Sequence, residues 1–231
     1  MGKKKPMDWR SSRVLRIMMA AGAAIWLAVA LASSLNKSAS IDEVPHIASG
    51  LAVLARGDFR MNPEHPPLMK VLALIPVYLF ACPDMAVEIG QLELKPWAQG
   101  LQVEYGHYLL FDGGRQAGGL DGILFLARIV PALVGLLGGV FAFLWGRELS
   151  GRAEGGALAA FFLMCYPEYI GHARFVTLDV PTLVACGAVS WFALCWWRRP
   201  GMKTALAFTT AAAIGSQVKL PVTVFTGLML V

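Results

Sequence analysis

Charge is scarce in this sequence. Asp, Glu, Lys and Arg make up 15% of its 231 residues, against 57% hydrophobic residues. With a mean hydropathy of +0.59, that shortage argues against an ordinary soluble domain and points to an integral membrane protein. Close cysteine pairs are also missing. Cys82, Cys165, Cys186 and Cys195 are scattered without a C-x-x-C spacing, and three of them fall in apolar runs, where a small buried hydrophobe is the expected role. There is no internal repeat and no low-complexity tract. The net charge of +5 does not indicate a nucleic-acid partner, because Lys3, Lys4, Lys5, Arg10, Arg13 and Arg16 all precede the first apolar run, as a cytoplasmic anchor does.

Long uncharged runs are what the chain has instead. Ile17 to Leu35 carries no charge and is longer than a signal-peptide core, so the sequence predicts an uncleaved membrane helix. Further helices are expected near 123–145, 155–170, 181–197 and 204–217, with a sixth beginning near Pro221. The expected fold is thus an all-α integral membrane bundle of about six transmembrane helices. The third and fifth runs are short for a hydrocarbon core of ~30 Å. The last run stops at Val231 in mid-stretch, so 1–231 reads as the N-terminal part of one membrane domain. Its expected parts are a cytoplasmic tail (1–16), a first membrane helix (17–35), an outer loop (36–122) and further helices (123–231).

Val71 to Cys82 is apolar but short, with Pro76 inside and Pro66-Pro67 before it, which favours an interfacial helix over a spanning one. Charge placement agrees. If the segment does not span, Arg147, Arg152, Arg198, Arg199 and Lys203 fall on the inside with the basic N-terminus, and Arg174 and Lys219 fall outside. Residues 36–122 then form one long outer loop. Val44, Ile47, Leu51 and Leu54 give it a short amphipathic helix that Gly57-Asp58 ends, and Asn62-Pro63 and Pro66-Pro67 mark rigid turns. Residues 83–122 have no clear period and read either as a mobile loop over a site or as a connector.

Within that outer loop, Asp42 to Lys70 gathers Asp42, Glu43, Glu64, His46, His65, Arg56, Arg60 and Lys70 amid a largely hydrocarbon sequence. Topology adds His172, Arg174 and Asp179 from the next outer loop, and Lys219 from the one after. Each has a plain structural reading as well. Asp42 or Asp179 before a proline suits a helix N-cap, and Lys219 or Arg128 suits a cation snorkelling at a helix end. Ser40-x-x-Glu43 is formally a capping box, but it would place Pro45 one turn too deep. Asp42 or Glu43 with His46, joined by His65 or Glu64, gives the elements of a divalent-metal site without a strong metal spacing. Together the groups suit a substrate with a phosphate at the interface and a lipid tail below: cations stabilise a phosphate leaving group while a carboxylate takes a proton from an attacking hydroxyl.

The order of motifs resembles a known family. DE-x-x-H-x-x-x-G from Asp42, L-x-x-G-D-F from Leu54 and P-E-H-P-P-L-x-K from Pro63 follow one membrane helix. Ala127 to Leu133, Gly146 to Gly151, His172-Ala173-Arg174 with Leu178 to Pro181, and Val218 to Pro221 come after them in register. The pattern resembles the polyprenyl-phosphate-sugar-dependent membrane glycosyltransferases of the C-type fold, among them aminoarabinose transferases and protein O-mannosyltransferases. The resemblance implies inverting transfer from undecaprenyl or dolichyl phosphate to an acceptor hydroxyl on a protein, lipid or glycan. It implies Asp42 as general base with Glu43 beside it, and Asp179 as a second acid positioning the acceptor or, with Asp42, a divalent metal. Lys219 and Arg128 would face the lipid phosphate, and His46 and Arg174 would line the same site. Aminoarabinose transferases carry a lysine before Pro-Pro-Leu where this chain has His65. The sequence therefore leaves the phosphate to His65 or, one turn along, to Lys70. A bacterial plasma membrane, with the N-terminus cytoplasmic, is the expected location. The competing expectation is a transporter or a non-catalytic membrane subunit, but transporters place ionisable groups at mid-membrane, and here they sit at helix ends.

Overall fold

The computed structural model describes residues 13–35, 37–81, 95–113 and 119–230. The basic residues Lys3, Lys4, Lys5 and Arg10, together with Cys82 and the start of the 83–122 segment, lie outside the described residues. All regular structure among the described residues is helical. The elements are α1 (Arg13–Ser34), α2 (Glu43–Arg56), α3 (Leu68–Phe80), α4 (Lys95–Ala98), α5 (Gln102–His107) with a π-helical turn (Tyr108–Gly113), α6 (Leu120–Ser150), α7 (Ala153–Cys165), α8 (Pro167–Ala173), α9 (Asp179–Arg198), α10 (Met202–Ser216) and α11 (Leu220–Leu228). The chain is an all-α membrane protein.

Three helices, α1, α6 and α9, are each long and apolar enough to cross a membrane. The other passages use shorter pieces, and ion pairs at two levels mark them. Arg128 on α6 bonds to carbonyls just past α1 and to Glu43. Twenty residues further along α6, which is ~30 Å of helix, Glu148 pairs with Arg198 at the end of α9. Lys219, after α10, is back beside Asp179 at the start of α9. Residues 153–173 and α10 therefore each run between the same two levels. The expected single helix over 155–170 is in fact two. Pro167 has no N–H to donate and sits at the first position of α8, so the chain breaks at Tyr166 and restarts.

The described residues between α1 and α6 fold onto one end of this bundle. α2 buries Val44, Ile47, Ala48 and Leu51 on one face. It stops at Gly57, whose left-handed φ of 64° lets its N–H reach Val53 O. α3 is too short to span and turns Met69, Ala73, Leu74 and Val77 inward, leaving Leu79 and Phe80 outside. Gly50 lets the two helices touch, since a Cβ there would collide with the Lys70 carbonyl. Residues 95–113, expected as a mobile loop or connector, are neither. Trp97, Tyr105, Leu109 and Leu110 are buried in one cluster with Ile47, Leu51, Leu74, Ile123 and Leu124.

Two further clusters hold the bundle. Trp26, Ala132, Tyr169, Val180 and Val184 join α1, α6, α8 and α9, with the Tyr169 hydroxyl donating to Gly135 O and Trp26 Nε1 to Met164 O. Met69, Leu178, Val189, Phe208, Val218 and Val222 join α3 to α9, α10 and α11. Of the three described cysteines, Cys186 is partly buried and packs against this last cluster, Cys195 is partly buried, and Cys165 is exposed rather than buried as expected.

Candidate active site

At the centre of this end lies a buried ion pair. The side chains of Glu43 and Arg128 have no exposure. Arg128 donates from Nε and Nη2 to the two Glu43 oxygens at 2.9 and 2.7 Å, and from Nη1 and Nη2 to the carbonyls of Ser34, Lys37 and Ser38. That engages the full complement of guanidinium N–H groups. Glu43 accepts in addition from the backbone N–H groups of Ser40 at 2.9 Å and Val176 at 3.0 Å. Four acceptor positions on one carboxylate are filled. The pair thus clips together the end of α1, the start of α2, the first third of α6 and the 174–178 loop. Arg128 was expected to face a lipid phosphate, yet it keeps no N–H for one. Glu43 was expected beside the base and is instead wholly engaged as a brace.

The start of α2 also differs from expectation. Asp42 precedes the helix but makes no capping hydrogen bond. Ser40 and Glu43 exchange the reciprocal bonds of a capping box, Ser40 N–H to Glu43 Oε2 and, longer, Glu43 N–H to Ser40 Oγ at 3.4 Å. A turn, not a continuous helix, lies between them, so Pro45 still falls in the first helical turn. The Asp42 carboxylate is left exposed, with no hydrogen-bond or ion-pair partner among the described residues.

One turn along α2, His46 is buried, and its Nδ1 lies 2.8 Å from Val176 O. A carbonyl only accepts, so Nδ1 carries the proton and Nε2 is bare. Burial holds the His46 pKa below the ordinary imidazole value. The Val176 carbonyl opposes this, His65 and Lys70 add to it, and Asp42 weakly opposes it. The His65 ring stands edge-on to His46 with centroids 5.6 Å apart. Lys70 borders the same groove as His65, with its ammonium engaged by the 62–65 turn. Its ammonium donates to Asn62 O, Asn62 Oδ1 and His65 O at 2.8, 3.0 and 2.7 Å, which is every donor it has. Burial lowers its pKa to about 8, with Glu64 pulling the other way. Glu64 in turn accepts from Asn62 and, across the segment, from Gln102. Burial tends to raise the Glu64 carboxyl, but the Gln102 and backbone bonds and the nearby His65 and Lys70 bring it below its usual range.

So braced, the 61–67 loop presents His65 on an open groove of about 360 Å³, also lined by Ser49, Phe59, Pro67 and, across from the loop, Leu220. Next to Leu220 is Lys219, whose ammonium lies 3.0 Å from Asp179 Oδ1. The Asp179 side chain is half exposed, and His172 approaches its other oxygen at 3.9 Å. Asp42 and Asp179 share this end of the molecule: Asp42 adjoins Glu43, which binds Val176 N–H, and Asp179 follows three residues later. Arg174 is turned away, with Nη1 at 3.2 Å from Ser33 O and its guanidinium over Phe175. Among the described residues no group of three or more His, Cys, Asp or Glu side chains has metal-holding geometry. Sequence reasoning missed Asn62, Gln102 and the Val176 backbone as supports of the site. Only Ser40-x-x-Glu43 had carried a readable signal.

A family model for dolichyl-phosphate-mannose-protein mannosyltransferases matches residues 101–231. No curated protein and no solved structure matches the chain. The family match takes in Arg128, Arg174, Asp179 and Lys219 and begins beyond the Asp42–Lys70 stretch. It spans more than half of the sequence, and the chain belongs to this family: it is a membrane glycosyltransferase of the kind that draws its sugar from a dolichyl-phosphate donor.

Proposed function

We propose that this chain, as a member of that family, transfers a sugar from a polyprenyl phosphate to an acceptor hydroxyl with inversion at the anomeric carbon, and that Asp42 is the general base. One observation carries the assignment. Of the three acids expected at the site, Glu43 is saturated by Arg128 and backbone groups and Asp179 is paired with Lys219, whereas Asp42 has no hydrogen-bond or ion-pair partner among the described residues. Its neighbour Glu43 is locked, so the free carboxylate stands on a rigid support, as a base must.

In the proposed step the acceptor O–H gives its proton to Asp42 while its oxygen bonds to the anomeric carbon. The bond from that carbon to the phosphate oxygen breaks, and the electron pair leaves with the polyprenyl phosphate. Attack opposite the leaving group inverts the centre, as in inverting glycoside chemistry. His65 on the groove and Lys219, the neighbour of its lining residue Leu220, bind the phosphate as its charge develops. Asp179 orients the acceptor, and Arg128, Glu43 and Lys70 hold the scaffold. The acceptor enters at the outer membrane face, and the cation-rich end around Arg198 faces the cytoplasm, following the positive-inside bias. A bacterial plasma membrane and a mannosyl or aminoarabinosyl donor complete the reading. The test is transfer of radiolabelled sugar from the polyprenyl donor in membranes containing the chain, wild type beside Asp42→Asn. Wild-type transfer that is abolished in Asp42→Asn supports the reading, and transfer retained by that variant removes Asp42 from the role.

A further inference from the structure

The opposite end of the bundle carries a second feature, independent of sugar transfer. Between α9 and α11 lies a groove of about 560 Å³, with Ala193, Trp196, Trp197 and Pro200 on one side and Met229 and Leu230 on the other. Its lining is apolar and aromatic. Trp196 is fixed by stacking on Phe208, with centroids 5.7 Å apart and planes within 6°. Trp197 is 82% exposed.

The mouth of the groove is cationic. The α9–α10 turn beside Pro200 brings Arg199 and Lys203, both exposed, and neither side chain has an ion-pair or hydrogen-bond partner among the described residues. The neighbouring Arg198 is instead tied to Glu148. The turn itself is held, since Thr204 Oγ1 donates to the carbonyls of Arg199 and Gly201. An apolar cleft alone would accept any hydrocarbon. A further apolar helix packed there would leave both cations and the indole N–H of Trp197 unused. A molecule with a hydrocarbon tail and an anionic head uses all of these groups.

We propose that this groove binds an anionic phospholipid, with an acyl chain between α9 and α11 against Trp197 and the headgroup phosphate on Arg199 and Lys203. Two surface cations next to a headgroup favour an anionic over a zwitterionic lipid by on the order of tenfold in occupancy.

The test uses the full chain in nanodiscs of phosphatidylcholine, doped at equal low mole fraction with either phosphatidylglycerol or phosphatidylcholine bearing brominated acyl chains, and reads tryptophan quenching. Brominated phosphatidylglycerol is expected to quench more strongly. That excess should shrink in Trp197→Phe, which removes the more exposed of the two groove tryptophans, and vanish in Arg199→Gln/Lys203→Gln, which removes the headgroup site. Both variants change exposed side chains, and unchanged circular dichroism and elution confirm that they fold. Equal quenching by the two lipids overturns the proposal, as does an excess that is undiminished in Trp197→Phe or that survives Arg199→Gln/Lys203→Gln.

Discussion

Two carboxylate–cation pairs sit at the same end of this molecule, and they do different things. Glu43–Arg128 is buried with both side chains at zero exposure, and its donors and acceptors are filled from four parts of the chain. Asp179–Lys219 is at a similar distance, 3.0 Å, but with the acid 55% and the lysine 28% exposed. The first is a brace: taking one partner away strands a charge out of water. The second is a contact that water already shares, worth little to stability and free to be exchanged for a ligand. Ion-pair distance alone does not separate a scaffold from a site. Saturation and exposure do.

Breaking the brace should have the largest effect. Arg128→Met leaves the Glu43 carboxylate buried without a counter-charge and should cost about 3–5 kcal/mol, read as a lowered thermal midpoint and poor recovery in detergent. Replacing Arg128 and Glu43 together with apolar residues should recover part of that loss, because no charge is left stranded.

Next in size is the chemical effect at Asp42. If Asp42 is the base as proposed, Asp42→Asn removes it without disturbing any partner among the described residues, so transfer should fall by about 10²–10⁴-fold at unchanged thermal midpoint. At the exchangeable pair, Lys219→Gln should change stability by less than about 1 kcal/mol. If Lys219 binds the donor phosphate, the same variant should still weaken transfer about tenfold, as expected for the loss of one charge-assisted hydrogen bond.

A further effect concerns Lys70 and pH. Its native pKa of about 8 lies below the 10.5 of a free lysine. Below pH 8 both the folded and unfolded states carry the proton, and burial of the ammonium weighs fully against the fold. Between pH 8 and 10.5 only the unfolded state keeps it, so this group's contribution to stability improves as pH rises. The wild-type thermal midpoint measured against that of Lys70→Met should therefore rise from pH 8 to pH 10. A relative fall would mean that the three carbonyl contacts outweigh desolvation.

The helices were largely legible in the sequence because uncharged length reports hydrocarbon burial directly, and α1, α6 and α9 lie where the apolar runs put them. The break before Pro167 was hidden because the run stays apolar through it. Residues 95–113 were unreadable for another reason: α4 and α5 are too short to show a period, and their burial depends on where Trp97 and Tyr105 meet α2 and α6. At the site, the residue types were legible but not their duties. Arg128 and Glu43 are 85 residues apart, and nothing in either local pattern tells an arginine that faces carbonyls from one that faces a phosphate. Lys70 is similar, since its partners depend on the left-handed turn at Asn62, where φ is 52°.

The most direct test sets the two neighbouring acids against each other. Sugar transfer and thermal midpoint would be measured for Asp42→Asn and Glu43→Gln in the same membranes, with activity normalised to folded protein. Asp42→Asn is expected to be stable and inactive, while Glu43→Gln is expected to be unstable but to keep substantial activity in the fraction that folds. A stable, inactive Glu43→Gln beside an active Asp42→Asn would contradict this and move the base to Glu43.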